Sequence, residues 1–159
     1  MRDAAMRVAW SPDRGEKSSF YVAKTEIFVR MNDQSRAKAY ADSAVAVVTQ
    51  KIRELPNEAQ FSMELASAQA VLGRKQEALA AMQKAVTLQP FAKDRFLGTA
   101  LYVSRARALM QLGESDEAIT QLEQLLKVPS FLSRNLLRLD PIYAPLRSNP
   151  RFQRLIQGS

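Results

Sequence analysis

The sequence predicts an all-α fold, an array of about three helix pairs closed by short C-terminal helices. Apolar residues recur every three or four positions through most of the 159 residues, which is the spacing of an amphipathic helix. Good helix formers such as Ala, Leu, Gln, Glu, Lys and Arg are abundant, and only five glycines interrupt them. Three alanines, Ala37, Ala78 and Ala118, stand at equivalent places in similar helical patterns, 41 and 40 residues apart.

The N-terminal residues 1–16 read as an irregular arm. Pro12 and Gly15 interrupt any helix there, and Trp10 is the only tryptophan of the chain. We expect Trp10 to cover the open end of the helix array, since that end would otherwise expose the core. A role of Trp10 in stacking against a ligand is the alternative.

The first helix pair is predicted over residues 17–56. Its first helix spans residues 17–31, and either Asn32 or Asp33 can cap the helix that follows. The second helix spans residues 34–55 and ends before Pro56. Small side chains on its apolar face allow two helices to approach closely.

The second pair is predicted over residues 57–90. Asn57 is expected to cap a helix over residues 58–72, and Gly73 ends that helix. A second helix opens near Ala78 and closes at Pro90.

The third pair is predicted over residues 91–129, after a longer connection. Its first helix should span residues 99–112, and Gly113 should form the turn. Ser115 is then expected to cap a helix over residues 116–128.

The tail, residues 130–159, departs from this pattern because three prolines divide it. Ser133 is positioned to cap a short helix that runs through Leu139. Asn149 is positioned to cap a last helix with Pro150 at its first position, where proline is favoured. We expect this tail to cap the array, with Phe152, Leu155 and Ile156 buried against the third pair.

The central pair resembles the tetratricopeptide repeat, because Gly73, Ala78, Ala85 and Pro90 stand in register with its pattern. The resemblance implies a right-handed solenoid that binds partners on a concave face. The units here are longer than the usual repeat of about 34 residues. The first copy departs most from the pattern, because Asn32 replaces the turn glycine and Lys24 occupies a usually apolar position. The third copy has Arg105 at the position equivalent to Lys24. In the middle copy, Gln69 replaces an aromatic residue.

The tail stretch LRLDPIYAPLRSNPRFQRL resembles the closing segment of tetratricopeptide regions in bacterial sensor and signalling proteins. This resemblance implies a scaffold that is either part of a larger protein or a freestanding relative. It implies no catalytic domain within the chain.

The composition argues against an enzyme. There is no histidine and no cysteine, which removes the commonest acid–base groups, nucleophiles and metal ligands. The acidic group Glu114, Asp116 and Glu117 stands at a helix start, where it complements the helix dipole. We therefore expect no catalytic activity, no cofactor and no metal.

A binding groove is the stronger prediction. The repeat register places one side of each first helix on the concave face, and Met63, Met110 and Val29 are expected to carry most of the binding energy from outside the inter-helix core. Arg30 and Arg107 should flank them and pair with a carboxylate of the partner. The predicted groove residues are Val22, Glu26, Val29, Arg30, Met63, Ser67, Ala70, Val71, Val103, Arg107, Met110 and Gln111.

A protein or peptide is the partner we favour, and self-association of the chain is left open. A basic nucleic-acid-associated domain is the alternative from another class. It is suggested by the net charge of +7 and by the five arginines of the tail, which has Asp140 as its only acidic residue. No apolar run approaches the ~20 residues of a membrane span. We expect a cytoplasmic location, or a periplasmic one if a signal segment has been removed.

Overall fold

The computed structural model describes residues 16–91 and 95–158, without the side chains of residues 95–97. The expected arm and its Trp10 lie outside the described residues, apart from Glu16. The described part is helical and contains no strand, which confirms the predicted all-α fold. Its α-helices are α1 (Lys17–Arg30), α2 (Gln34–Glu54), α3 (Ala59–Val71), α4 (Lys75–Leu88), α5 (Arg95–Gln111), α6 (Ser115–Leu125), α7 (Arg134–Leu139) and α8 (Pro150–Gln157), and a 3-10 helix (Pro141–Leu146) separates α7 from α8.

The first six helices form three pairs, α1 with α2, α3 with α4 and α5 with α6. Each pair turns at one residue with left-handed backbone, Asn32 (φ 55°), Gly73 (φ 74°) and Gly113 (φ 81°). Asparagine tolerates this conformation better than most residues, so Asn32 can take the place of the turn glycine. The departure at Asn32 therefore leaves the geometry of the first pair intact.

Close helix packing depends on the small residues identified in the sequence. Ala37, Ala78 and Ala118 are completely buried, as is Ala85. Helices α2 and α5 both pack against α3, so the central pair joins the other two. Among the described residues, no helix has both the length and the apolar character needed to cross a membrane.

Three of the predicted helix caps are confirmed. The side chains of Asp33, Ser133 and Asn149 accept hydrogen bonds from backbone N–H groups at the starts of α2, α7 and α8. Two other predicted caps are wrong. Glu58 takes the place expected for Asn57, and Ser115 is the first residue of α6 rather than its cap.

In the third pair, the first helix begins earlier and the second helix ends earlier than predicted. Helix α5 begins at Arg95 rather than at Thr99, and α6 ends at Leu125 rather than at Val128. The backbone N–H groups of Leu126, Lys127 and Val128 bond back by four or three residues, so the last turn loosens gradually instead of ending at the expected residue.

The tail packs on the array more extensively than a simple end cap. Leu137, Tyr143, Leu146 and Phe152 are fully buried and belong to the same hydrophobic cluster as α3 to α6. Leu155 and Ile156 are half-buried against that cluster, and α8 contacts α6 as expected. The 3-10 helix contacts both α5 and α1, so the tail also reaches the first pair.

Replacing Ala78 with leucine should lower the free energy of unfolding by about 1–3 kcal/mol, because the larger side chain has no space between packed helices. Chemical denaturation followed by circular dichroism measures this. Ala80 lies exposed on the same helix, so Ala80→Leu is the matched control and should change stability by less than about 0.5 kcal/mol. Equal stability of the two variants would contradict the predicted packing.

Candidate partner-binding groove

The first helices of the three pairs, α1, α3 and α5, line one face of the array, and a groove follows this face in two adjoining sections. One section, which we call the narrow section, lies toward the C-terminal ends of these helices. The other, which we call the open section, lies toward their N-terminal ends and has a volume of about 540 Å³. Val22, Glu26 and Ser67 line both.

The structure brings most of the predicted groove residues to these two sections. Met63 lines the open section together with the three shared residues. Arg30 is joined to Glu26 by an ion pair of 3.0 Å at the edge of the narrow section. The predicted residues that line the narrow section are Val22, Glu26, Val29, Ser67, Val71, Arg107 and Gln111.

The remaining predicted residues, Ala70, Val103 and Met110, are buried and line neither section. Met63 and Met110 are only 3% and 6% exposed and belong to the main core cluster. The expectation that they lie outside the inter-helix core is therefore wrong. Because α3 packs directly on α5, a glutamate at either methionine would bury a charge and destabilise the fold.

The tail is fastened beside the narrow section through one carboxylate, Asp140. The Nε and Nη2 atoms of Arg30 donate to its two oxygens at 3.1 and 3.3 Å. Nη2 of Arg107 lies 3.9 Å from Oδ2 of the same carboxylate. Oε2 of Glu26 accepts from Arg30 and Arg107 at 3.0 and 3.3 Å. Two arginines and two carboxylates thus form one network, which we call the Asp140 cluster.

Two neighbours of Asp140 extend this contact into the groove. Ile142 forms part of the wall of the narrow section. Tyr143 is fully buried, and its hydroxyl oxygen accepts a hydrogen bond of 3.4 Å from Nε of Arg107. Burial raises the pKa of Tyr143, although the charge of nearby Arg107 opposes the shift. The arginines that were expected to hold a partner's carboxylate therefore hold the chain's own.

The electrostatics of the cluster favour the charged form of Asp140. Burial alone would raise the pKa of this carboxyl group. The N–H of Ile142 and the guanidinium of Arg30, joined by the charge of Arg107, outweigh that effect, so the pKa of Asp140 lies below its ordinary value. Burial likewise tends to lower the pKa of Arg30, but its bonds to Asp140 and Glu26 raise it.

The open section has a different chemistry, which sequence reasoning missed. Its walls combine apolar side chains such as Met63 and Leu101 with the carboxylates of Glu58 and Glu64. Oε1 of Glu64 accepts hydrogen bonds from Oγ of Ser19 at 2.8 Å and from Nε2 of Gln60 at 2.9 Å. The available signal was a glutamate between Met63 and Leu65 in a helix that has no other charged residue.

Several arginines of the tail serve its own packing. Arg151 donates to both oxygens of Glu123, at 2.8 and 2.5 Å. Arg147 donates to the backbone carbonyls of Arg138 and Asp140. The ion pair of Arg151 with Glu123 compensates part of the basic charge that suggested a nucleic-acid partner. In the part of the chain that the structure describes, no three acidic, histidine or cysteine side chains come together as a metal site would require.

Comparison with known families supports the repeat assignment. Residues 26–93 match one family model described as a tetratricopeptide repeat, and residues 99–130 match a second model with the same description. No curated protein matches the chain. No solved structure matches it either.

Replacing Asp140 with asparagine should lower the free energy of unfolding by about 1–3 kcal/mol at pH 7, since Arg30 and Arg107 lose a charged acceptor. The pKa of Asp140 is depressed in the folded chain, so its contribution is complete above the unfolded value of about 3.9 and is lost as pH falls through the folded value. The difference between the two proteins should shrink below about pH 4. Urea unfolding at several pH values measures it.

Asp42→Asn is the matched control for this experiment. Asp42 also pairs with an arginine, Arg74 at 3.0 Å, but its side chain is 60% exposed. An exposed ion pair contributes at most about 1 kcal/mol. Equal losses in the two variants, or a loss in Asp140→Asn that stays constant down to about pH 2, would contradict the role assigned to Asp140.

Proposed function

We propose that this chain is a non-catalytic scaffold, because residues 26–93 and 99–130 match models described as tetratricopeptide repeats and such repeats generally mediate contacts between proteins. It binds a segment of a partner protein in the open section of its concave face. The observation that carries the proposal is the division of the groove, in which the tail contributes Ile142 to the wall of the narrow section and contributes no residue to the larger open section beside it.

The shape of the open section supports a peptide-sized ligand. Its volume of about 540 Å³ falls within the ~300–1,000 Å³ typical of ligand sites. Ala23 and Ala100 are exposed at its walls, and their small side chains leave room for those of a partner. Met63 and Leu101 supply apolar surface at its base.

The setting of this scaffold is proposed from the resemblance of the tail to the closing segment of bacterial tetratricopeptide regions. We place the chain in a bacterial signalling system, either as one part of a larger protein or as a separate subunit. A cytoplasmic location belongs to the same proposal. The contacts of Asp140 and Tyr143 anchor the tail to the repeats, which gives these two residues of the tail pattern a structural role.

Nucleic acid is a second candidate partner, favoured by one observation. Lys127, Arg134, Arg151 and Arg154 line a surface depression of about 420 Å³ beside α8. Arg151 is paired with Glu123, and Arg134 donates to the carbonyl of Leu155. A nucleic-acid partner would bind with an affinity that falls steeply with salt, whereas binding in the open section should respond weakly.

Replacing Ala100 with tryptophan should fill the open section and reduce partner binding at least about tenfold, with little effect on folding because position 100 is exposed. The test uses immobilised wild-type and variant chains to capture proteins from a bacterial extract. Each captured protein is identified, purified and titrated against the same chains by isothermal calorimetry.

Ala80→Trp is the control, because it adds the same side chain to an exposed position on α4, away from the groove. The proposal requires a purified protein that binds wild type and Ala80→Trp equally and binds Ala100→Trp weakly. Equal binding to all three chains, or no direct binding by any captured protein, would show that the open section is not the binding site.

A further inference from the structure

Glu64 stands out among the residues of the open section because its charge is only partly compensated. The residue is 9% exposed, and Oε1 is held by Ser19 and Gln60. Oε2 is buried and has no hydrogen-bond partner. An unpaired oxygen of a buried carboxylate is costly, and a donor that reached it would recover that cost.

The described lining of the open section supplies no cation to this carboxylate. Its charged members are Glu26, Glu58 and Glu64. Arg30 and Arg107 already hold Glu26 from the narrow section. Glu58 is exposed and forms no ion pair within the described part of the chain. The section is therefore acidic, and complementarity calls for a positively charged group on the partner.

The geometry distinguishes between the possible cations. A guanidinium binds best to two free oxygens of one carboxylate, whereas an ammonium is a point charge that needs only one. Glu64 offers only Oε2, since Oε1 is occupied. The terminal torsion of a glutamate is broad, so a small rotation can present Oε2 to the groove. The apolar surface of Val22, Met63 and Leu101 suits the four-carbon stem of a lysine.

We propose that Glu64 forms the base of a subsite for one lysine side chain of the partner segment, with Glu58 at its rim. This inference rests on the proposed function, because it specifies what the segment in the open section carries. The lysine stem packs against the apolar wall, and its ammonium donates to Oε2 of Glu64. Ser19 and Gln60 are positioning residues that hold the carboxylate through Oε1.

The test uses the full chain and four pools of capped random octapeptides on beads. Lysine is fixed at the fourth position in the first pool, and Nε-acetyllysine, norleucine or arginine replaces it in the others. The remaining positions exclude charged residues. Wild-type protein should be retained by the lysine pool at least about tenfold better than by the acetyllysine and norleucine pools, as expected for one charge-assisted hydrogen bond.

The variant Glu64→Gln keeps the size of the side chain and an acceptor for Ser19 and Gln60, but it removes the charge. It should lose the preference for lysine. Glu77→Gln removes the same charge from an exposed position on α4 and should keep the preference. If circular dichroism shows that Glu64→Gln folds poorly, the comparison of the four pools with wild-type protein still tests the inference.

Each remaining outcome overturns the inference. Equal retention by all four pools would leave peptide binding in place and exclude the lysine subsite. Retention by none would contradict the proposed function as well. Equal retention by the arginine and lysine pools would exclude the assigned geometry. A preference for lysine that persists in a folded Glu64→Gln variant would exclude it too. A wild-type dimer in sedimentation that Glu64→Gln dissociates would identify a second copy of the chain as the occupant.

Discussion

The structure depends on the ion pairs of Asp140, which join residues 110 positions apart in sequence. This carboxylate binds Arg30 from the first pair and lies near Arg107 of the third, so both ends of the array are held by the same tail residue. Its side chain is only 12% exposed, and a charge so placed stabilises the fold only while its partners remain. The 3-10 helix begins at the next residue, and it contributes the buried Tyr143 and the Ile142 wall of the narrow section.

This constraint determines the chemistry that the concave face offers to a partner. Without Asp140, Glu26 alone would face Arg30 and Arg107, which would leave one positive charge uncompensated on this face. With Asp140 in place, the two arginines face two carboxylates of the chain, Asp140 and Glu26, while the open section carries Glu58 and the buried Glu64. The charge that remains uncompensated on this face is therefore negative, and a complementary ligand would be positively charged. The tail thus completes the core and compensates the arginines of this face.

The parts of the fold that could be predicted from sequence are governed by local interactions. Asn32 and Gly73 mark turns that need left-handed backbone. Asp33 caps a helix by accepting a hydrogen bond from the backbone N–H of Arg36, only three residues later. The site could be predicted only in outline, because burial on the concave face depends on how α3 approaches α5. The covering of Met110 and the pairing of Arg30 with Asp140 arise from contacts distant in sequence, which periodicity does not encode.

Arg105 is a polar residue at a position that the repeat usually fills with an apolar one, and its contacts likewise depend on how the helices pack. Its guanidinium donates to Gln121 at 2.7 Å and to Glu117 at 2.5 Å, so this arginine links α5 to α6 rather than weakening the third pair. Among the described residues, a buried polar side-chain atom without a hydrogen-bond partner occurs in Ser18, Ser62, Glu64 and Gln69, and only Glu64 is a carboxylate. A hydroxyl or amide without a partner costs little compared with a carboxylate oxygen. That cost at the wall of the open section is the physical reason to seek the missing donor on a partner.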